Sequence, residues 1–276
     1  MTPKEYLSRV PLVRSETERL AAYWRGFSEK DWTTPTFCPG WAAQDAVAHI
    51  TTGADFYANS VRRAVEGLPP EPPYGGDAKE FYAIRKERGD ALMAGPRAAM
   101  VDAFESSGRL VVEALEMAGE GDLAKLGWHP RGLTPVDAWI GLRLVELVVH
   151  DWDIRLGQDK SARPTAPGVE GMLTFLPATQ CRHFNVREKP GFHGRYLFCT
   201  TRPDRGWSMA VEGERASFRP DAMGPHDATV TADAEALLFL NYGRLAREDA
   251  ERGGRLRVDG NRELADKLLG VLFAKY

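Results

Sequence analysis

The stretch LRLVELVVHDWDIRLG, residues 142–157, is apolar on nearly every side of a helix, yet it carries Glu146 and His150 four residues apart. A spacing of four puts both side chains on one helical face, a turn apart. A helix that is apolar almost all round is buried. A carboxylate and an imidazole inside it must then be paired, hydrogen-bonded or bound to a metal. Two readings stay open from this stretch alone: a structural Glu–His hydrogen bond within a helical core, and a pair of metal ligands. The ends of the helix are marked. Thr134 fits the N-cap, Pro135 the first helical position, Asp137 the positive end of the dipole, and Gly157 the stop.

Working outward, the pattern is helical from about residue 12 to residue 157. Leu20, Tyr23, Trp24 and Phe27 recur at helical spacing in residues 12–27. A second helix runs from near Trp41 towards Val65, after a loop broken by Pro35, Pro39 and Gly40. GLPPEPPYGG, residues 67–76, ends it. A third helical segment starts near Ala78, is interrupted at Gly95-Pro96 and resumes to about Met117. With residues 134–157 this makes four long helical segments, the pattern of a four-helix bundle.

The character changes after SARPTAPG, residues 161–168. A helix over residues 169–183 bridges to a run of strands, RYLFCTT, WSMAVEG, ASFRP and DATVTAD. Helices over residues 234–247 and 262–274 close the chain, with the strand RLRVDG between them. Strands grouped together and then helices predict an α+β domain. The expected organisation is therefore α+β overall, a helical bundle over residues 1–163 and a smaller α+β domain over residues 164–276.

Composition agrees with an ordinary globular chain. Of 276 residues, 43% are hydrophobic and 27% charged, which excludes disordered and fibrous classes. The net charge of -3 offers no basic footprint for nucleic acid. Cys38, Cys181 and Cys199 are odd in number and lack CxxC spacing, so a reducing compartment is expected rather than a disulfide framework. The N-terminus has no apolar signal core, and no run approaches the ~18 residues of a membrane span. A cytoplasmic location and no membrane or nucleic-acid partner are the expectations.

His49, in DAVAHITTGADF, lies on the second helix. It reads either as a satisfied core histidine or as a third ligand. Asp45, four residues earlier, is placed to pair with it or to fix its ring. Arg85 and Arg88, after the proline-rich break, are candidates for an acidic substrate or cofactor, or else a charged helix surface. Asp153 lies two turns beyond Glu146 and either orients a ligand or caps the helix. Asp151 reads as solvated, Cys38 as structural, and Trp41 and Trp152 as core anchors. His129, His183, His193 and His226 read as surface residues.

CPGWAAQDAVAHI, residues 38–50, followed about a hundred residues later by RLVELVVHDWDIRLG, resembles the mycothiol-dependent maleylpyruvate isomerase family within the DinB-like bundle superfamily. The resemblance implies that His49, Glu146 and His150 bind the metal, and the family pattern keeps an Asp at Asp153. DATVTADAEALLFLNYGRL (residues 227–245) and LRVDGNRELADKLL (residues 256–269) resemble the sterol-carrier-like domain often fused to this bundle. The family implies an arginine from that domain at the catalytic site, and Arg244 is the residue that fits.

The chemistry so implied is thiol activation. A divalent cation, zinc or else nickel or cobalt, would ionise a low-molecular-weight thiol, mycothiol, for addition or transfer to an electrophilic small molecule, as an isomerase or S-transferase. A metal-dependent hydrolase using the same three ligands and a non-enzymatic protein that binds an apolar ligand are the alternatives. Oligomeric state is not legible.

Overall fold

In the computed structural model the described residues are 2–221 and 224–273. The chain divides into two compact units, Met1–Gly171 and Met172–Tyr276. The first contains α1 (Pro3–Leu7), α2 (Val10–Arg25), α3 (Glu29–Thr33), α4 (Ala43–Val65), α5 (Ala78–Ala94), α6 (Arg97–Glu116), the two-residue strands β1 (Leu126–Gly127) and β2 (Thr134–Pro135), and α7 (Trp139–Gln158). A helical unit followed by a sheet-containing one is the expected fold class.

Helices α2 and α4 each pack against both α6 and α7, so the four enclose one core. Their contact faces follow helical periodicity. Ala46, Val47, Ile50, Ala54 and Val61 of α4 are all fully buried, as are Leu144 and Leu147 of α7. Trp24 of α2 meets Phe104 of α6 edge-on at 4.6 Å between ring centres. Small residues let helices approach: a Cβ on Gly108 would lie 2.5 Å from Thr17 of α2. The break at Gly95-Pro96 is complete, because Pro96 is extended and separates two distinct helices. Helix α5 lies mainly on α4, and α6 on α2 and α4.

Two expected helix ends are corrected. Thr134 does not cap α7. Its backbone pairs with Gly127, its hydroxyl donates to the Gly132 carbonyl at 3.1 Å, and a short 3-10 turn (Val136–Ala138) intervenes before Trp139. Gly157 is not the stop either. It lies inside α7, and a Cβ there would sit 2.0 Å from the carbonyl oxygen of Pro35, so the glycine admits the 35–42 loop.

Helix α8 (Ala166–Val186) spans the division between the units. The second unit then has β3 (Phe192–Thr201), β4 (Arg205–Gly213), β5 (Arg215–Arg219), β6 (Ala228–Asp233), α9 (Ala234–Asn241), α10 (Arg247–Arg252), β7 (Leu256–Gly260) and α11 (Arg262–Leu272). The sheet order is β5-β4-β3-β6-β7. Only β3 and β6 run parallel; the other neighbours are antiparallel. Alternate residues Tyr196, Phe198, Trp207, Met209, Val211 and Val230 are buried on one face. Helix α11 packs Ala265, Leu268, Leu269 and Leu272 at helical spacing against β6 and β7.

The helix expected over residues 234–247 ends at Asn241, where Gly243 takes a left-handed turn (φ +67°) that a helix cannot continue through. A separate short helix, α10, follows. Asp233 and Asn261 cap α9 and α11 by accepting the amides of Ala236 and Leu264. Ala274, the expected end of the last helix, lies outside the described residues. Among the described residues no helix is long and apolar enough to cross a membrane.

Candidate metal centre

Helices α4 and α7 face each other, and the polar residues of both meet at one place. His49 comes from α4; Glu146 and His150 come from successive turns of α7. His49 Nε2 lies 3.1 Å from Glu146 Oε2, and His150 Nε2 lies 3.7 Å from the same oxygen. One donor atom from each of the three residues falls within 4.8 Å of the other two. About a quarter of the His49 and Glu146 side chains remains open to solvent (28% and 26%), against 13% for His150, so the cluster has one accessible side.

The surroundings hold these donors in place. The opposite nitrogen of His150, Nδ1, lies 2.9 Å from Oδ2 of the fully buried Asp153. A carboxylate there favours a proton on Nδ1 and fixes the ring with Nε2 facing Glu146. Trp41 packs against both histidines, with ring centres 4.9 Å from His49 and 5.8 Å from His150. Arg85 of α5 donates through Nη2 to the carbonyl of His49 at 2.7 Å and through Nε to Thr52 at 3.3 Å. A Cβ on Gly53 would lie 2.9 Å from that guanidinium, so glycine makes room for it.

Electrostatics separate the two histidines. Burial lowers the pKa of His49 and outweighs the raising effect of Glu146, which favours the neutral ring. At His150 burial also acts against the charge, but hydrogen bonds to Asp153 and Cys38 and the charges of Glu146 and Asp153 prevail, raising it to about 9. Burial works against ionisation of Glu146 too. The hydrogen bond and charge of His49, with His150 and Arg85, overcome it and hold the carboxyl well below the usual range.

The donor set suits a divalent cation. Two imidazoles and an ionised carboxylate are zinc ligands at ~2.0–2.2 Å, and tetrahedral angles then place donors roughly 3.3–3.5 Å apart. The observed 3.1 and 3.7 Å bracket that spacing. Three protein ligands would leave a position open, as in catalytic zinc sites. Asp153→Ala, which frees the His150 ring, is expected to weaken zinc retention by ~10–100-fold while the helical content is kept. Equilibrium dialysis measures this, and an unchanged affinity would detach Asp153 from the centre.

The other expected site residues have the following surroundings in each unit. Asp45 does not pair with His49; its Oδ2 accepts the Ala42 amide at 2.9 Å and caps α4. Arg88 is bonded to Asp55 and stacks over Tyr74, with 5.2 Å from Cζ to the ring centre. Arg244, in the second unit, follows the turn at Gly243 and donates to the Tyr242 carbonyl at 2.8 Å. Asp151 is not solvated: it is buried between Arg19 and Arg155, because α2 covers that side of α7. His129 is half-buried, its ring centre 5.8 Å from those of Phe56 and Trp139, and His183 is half-buried beside Tyr242. His226 is also half-buried, with Nε2 3.0 Å from Ser208 Oγ, whereas His193 is exposed. Cys38, read as structural, lies 3.2 Å from Asp153 through Sγ. The spacing of Cys38 to Asp153 in the sequence carries no sign of that contact, which a loop makes.

Comparison with known proteins agrees with this architecture. Mycothiol-dependent maleylpyruvate isomerase has a similar fold, with a TM-score of 0.61 and 16% identity over 90% of this chain and 91% of that one. A histidine-to-alanine variant of the same enzyme gives a TM-score of 0.61 and 15% identity, over 94% and 93% of the two chains. No curated protein matches the sequence. The family model for the mycothiol maleylpyruvate isomerase N-terminal domain matches residues 13–155, and the model for the C-terminal domain of that family matches residues 163–267. Matched across both of its halves, the chain belongs to the mycothiol maleylpyruvate isomerase family.

Proposed function

We propose that this protein is a mycothiol-dependent enzyme that holds one divalent cation, zinc in the first instance, on His49, Glu146 and His150, and adds a thiol to an electrophilic small molecule. The observation that supports this is the convergence of those three donors at 3.1 and 3.7 Å on one partly open face between α4 and α7. Membership of the isomerase family supplies the thiol and the reaction class. In that class a thiol adds to a cis double bond, the resulting single bond rotates, and the thiol leaves. Transfer without loss of the thiol is the related outcome.

When bound, the cation supplies a Lewis-acid position at which a thiol ionises near neutral pH. The chain's own residues do the positioning. Asp153 fixes the tautomer and orientation of His150. Arg85 anchors the turn of α4 that carries His49, and its positive charge is felt at Glu146. The substrate is left as an electrophile of unspecified shape, because Arg85 is engaged by the His49 carbonyl and Arg88 by Asp55. Arg88 remains the proposed contact for an acidic group of the cofactor, through exchange of its Asp55 partner.

Cobalt substitution tests the reading. Addition of mycothiol to the cobalt-loaded protein is expected to produce a sulfur-to-cobalt charge-transfer band in the difference spectrum against thiol-free protein. Binding is accompanied by proton release, since the thiol must ionise to coordinate. Glu146→Ala should abolish the band. A cobalt spectrum unchanged at saturating mycothiol, with hydrolysis of an ester or amide instead, would replace thiol transfer by a hydrolase.

Arg244 carries the remaining part of the proposal, as the second unit's catalytic residue. Arg244→Ala should leave zinc content intact and lower kcat/KM for the thiol-dependent reaction by ~10–100-fold, the scale of one lost charge-assisted hydrogen bond (~1.5–3 kcal/mol). Full activity in that variant would remove Arg244 from the site.

A further inference from the structure

The His150 ring has two coordinating edges, and the cluster with His49 and Glu146 uses only one. On the other edge Nδ1 lies 2.9 Å from Asp153 Oδ2, and that same oxygen receives the Cys38 thiol, with Sγ at 3.2 Å. One donor atom from each of Cys38, His150 and Asp153 falls within 4.8 Å of the other two. We infer that Cys38, Asp153 and His150 form a second cation site, containing a thiolate, for a soft ion such as cadmium or copper(I).

The donor chemistry differs from that of the first cluster. Sulfur selects soft ions, whereas two imidazoles and a carboxylate do not discriminate in this way. The geometry is close to what an ion needs. Metal–sulfur bonds of ~2.3 Å and metal–nitrogen and metal–oxygen bonds of ~2.0 Å, at tetrahedral angles, place the donors roughly 3.3–3.5 Å apart. The two contacts to the Asp153 oxygen, at 2.9 and 3.2 Å, must open by only a few tenths of an ångström. An entering ion takes the place of the Sγ hydrogen and the Nδ1 hydrogen that now face Asp153, and both leave as protons.

The loop that carries Cys38 is built against α7. The Phe37 amide donates to the Asp153 carbonyl at 3.0 Å, and the Cys38 amide donates to Thr36 Oγ1 at 3.1 Å. Gly157 admits the Pro35 carbonyl where any side chain would collide. Cys38 is half-exposed, so an ion has a path to its sulfur, while Asp153 is buried beneath it. Burial pushes the Cys181 thiol up to about 12 and also raises that of Cys199. An ion in the second site also takes the Asp153 oxygen that orients His150 for the first, so the two sites are coupled through one imidazole.

The test uses the full chain stripped of metal, without added thiol, titrated with cadmium chloride. A sulfur-to-cadmium charge-transfer band should rise in the ultraviolet for the unmodified protein and for Glu146→Gln. It should be lost in Cys38→Ser, which keeps Cys181 and Cys199. No band in the unmodified protein, or a band that survives in Cys38→Ser, would overturn the inference. A band lost in Glu146→Gln would overturn it as well, by placing Cys38 on the first centre instead of a separate one. A measurement without any variant guards against misfolding: excess cadmium should slow alkylation of Cys38, followed by peptide mass spectrometry. Equal labelling with and without cadmium counts against the site.

Discussion

His150→Ala is expected to empty the first cation site and to abolish thiol-dependent turnover together. In the proposed site His150 is one of three ligands, and its ring is the one held by Asp153. Loss of a residue that merely orients a ligand costs ~10–100-fold in affinity, so loss of the ligand itself should exceed that. Elemental analysis should fall from about one zinc per chain, the content of a single three-ligand site, to a trace. Circular dichroism should keep its helical signal, because the side chain is partly open and its removal leaves the apolar core of α7 intact. His49→Ala and Glu146→Ala should act in the same direction. Full zinc occupancy in purified His150→Ala would refute the assignment.

Gly157→Ala should destabilise the first unit, although the same substitution inside an ordinary helix stabilises. Helix propensity alone favours alanine by ~1 kcal/mol. Here the new Cβ would lie 2.0 Å from the Pro35 carbonyl oxygen and 3.1 Å from its carbon, both backbone atoms. The loop cannot simply step aside. Pro35 bridges to Ala42, the Thr36 amide donates to the Trp41 carbonyl at 2.8 Å, and the Phe37 amide is bonded to Asp153. Forced repacking of this kind costs ~1–3 kcal/mol, sometimes more. For a unit of this size that lowers Tm by roughly 2–4 °C per kcal/mol. A thermal melt decides the sign, and a raised Tm would mean that the loop is not held against α7. Since the same loop carries Cys38, cadmium-dependent protection of its thiol should weaken in this variant.

The sequence and the structure agree where the physics is local. Four-residue spacing places Glu146 and His150 on one face whatever the fold around them, and an apolar helix requires partners for them. His49 became legible only through the paired motifs, because nothing in DAVAHITTGADF distinguishes a ligand from a buried histidine. Alternation of buried residues marks β3, β4 and β6 of the second unit, but not the short β5 and β7. Strand order was not legible: the parallel pairing of β3 with β6 is a long-range choice that no period records. Asp151 was misread because a single charge beside an apolar helix looks solvated until Arg19 of α2 arrives to meet it. Gly157 was misread because a glycine near a helix end signals a stop and a close approach equally well. Cys38 reads only as structural in the sequence, since its contact with Asp153 spans 115 residues of chain.

The polar residues of α7 also fix the helix as a key is fixed by two wards. Asp151 is clasped by Arg19 from α2 and by Arg155, while His150 and Asp153 look towards α4 and the loop at Cys38. Each residue turns the helix by ~100°, so inserting one residue between Leu147 and His150 would swing both sets of partners out of place together and part His150 from Glu146. Sliding by a whole turn would restore direction but miss both by ~5.4 Å. Helix α7 therefore tolerates exchange of its apolar residues far better than any change in its length, and the spacing of the proposed cation ligands is protected by the charge cluster around Asp151.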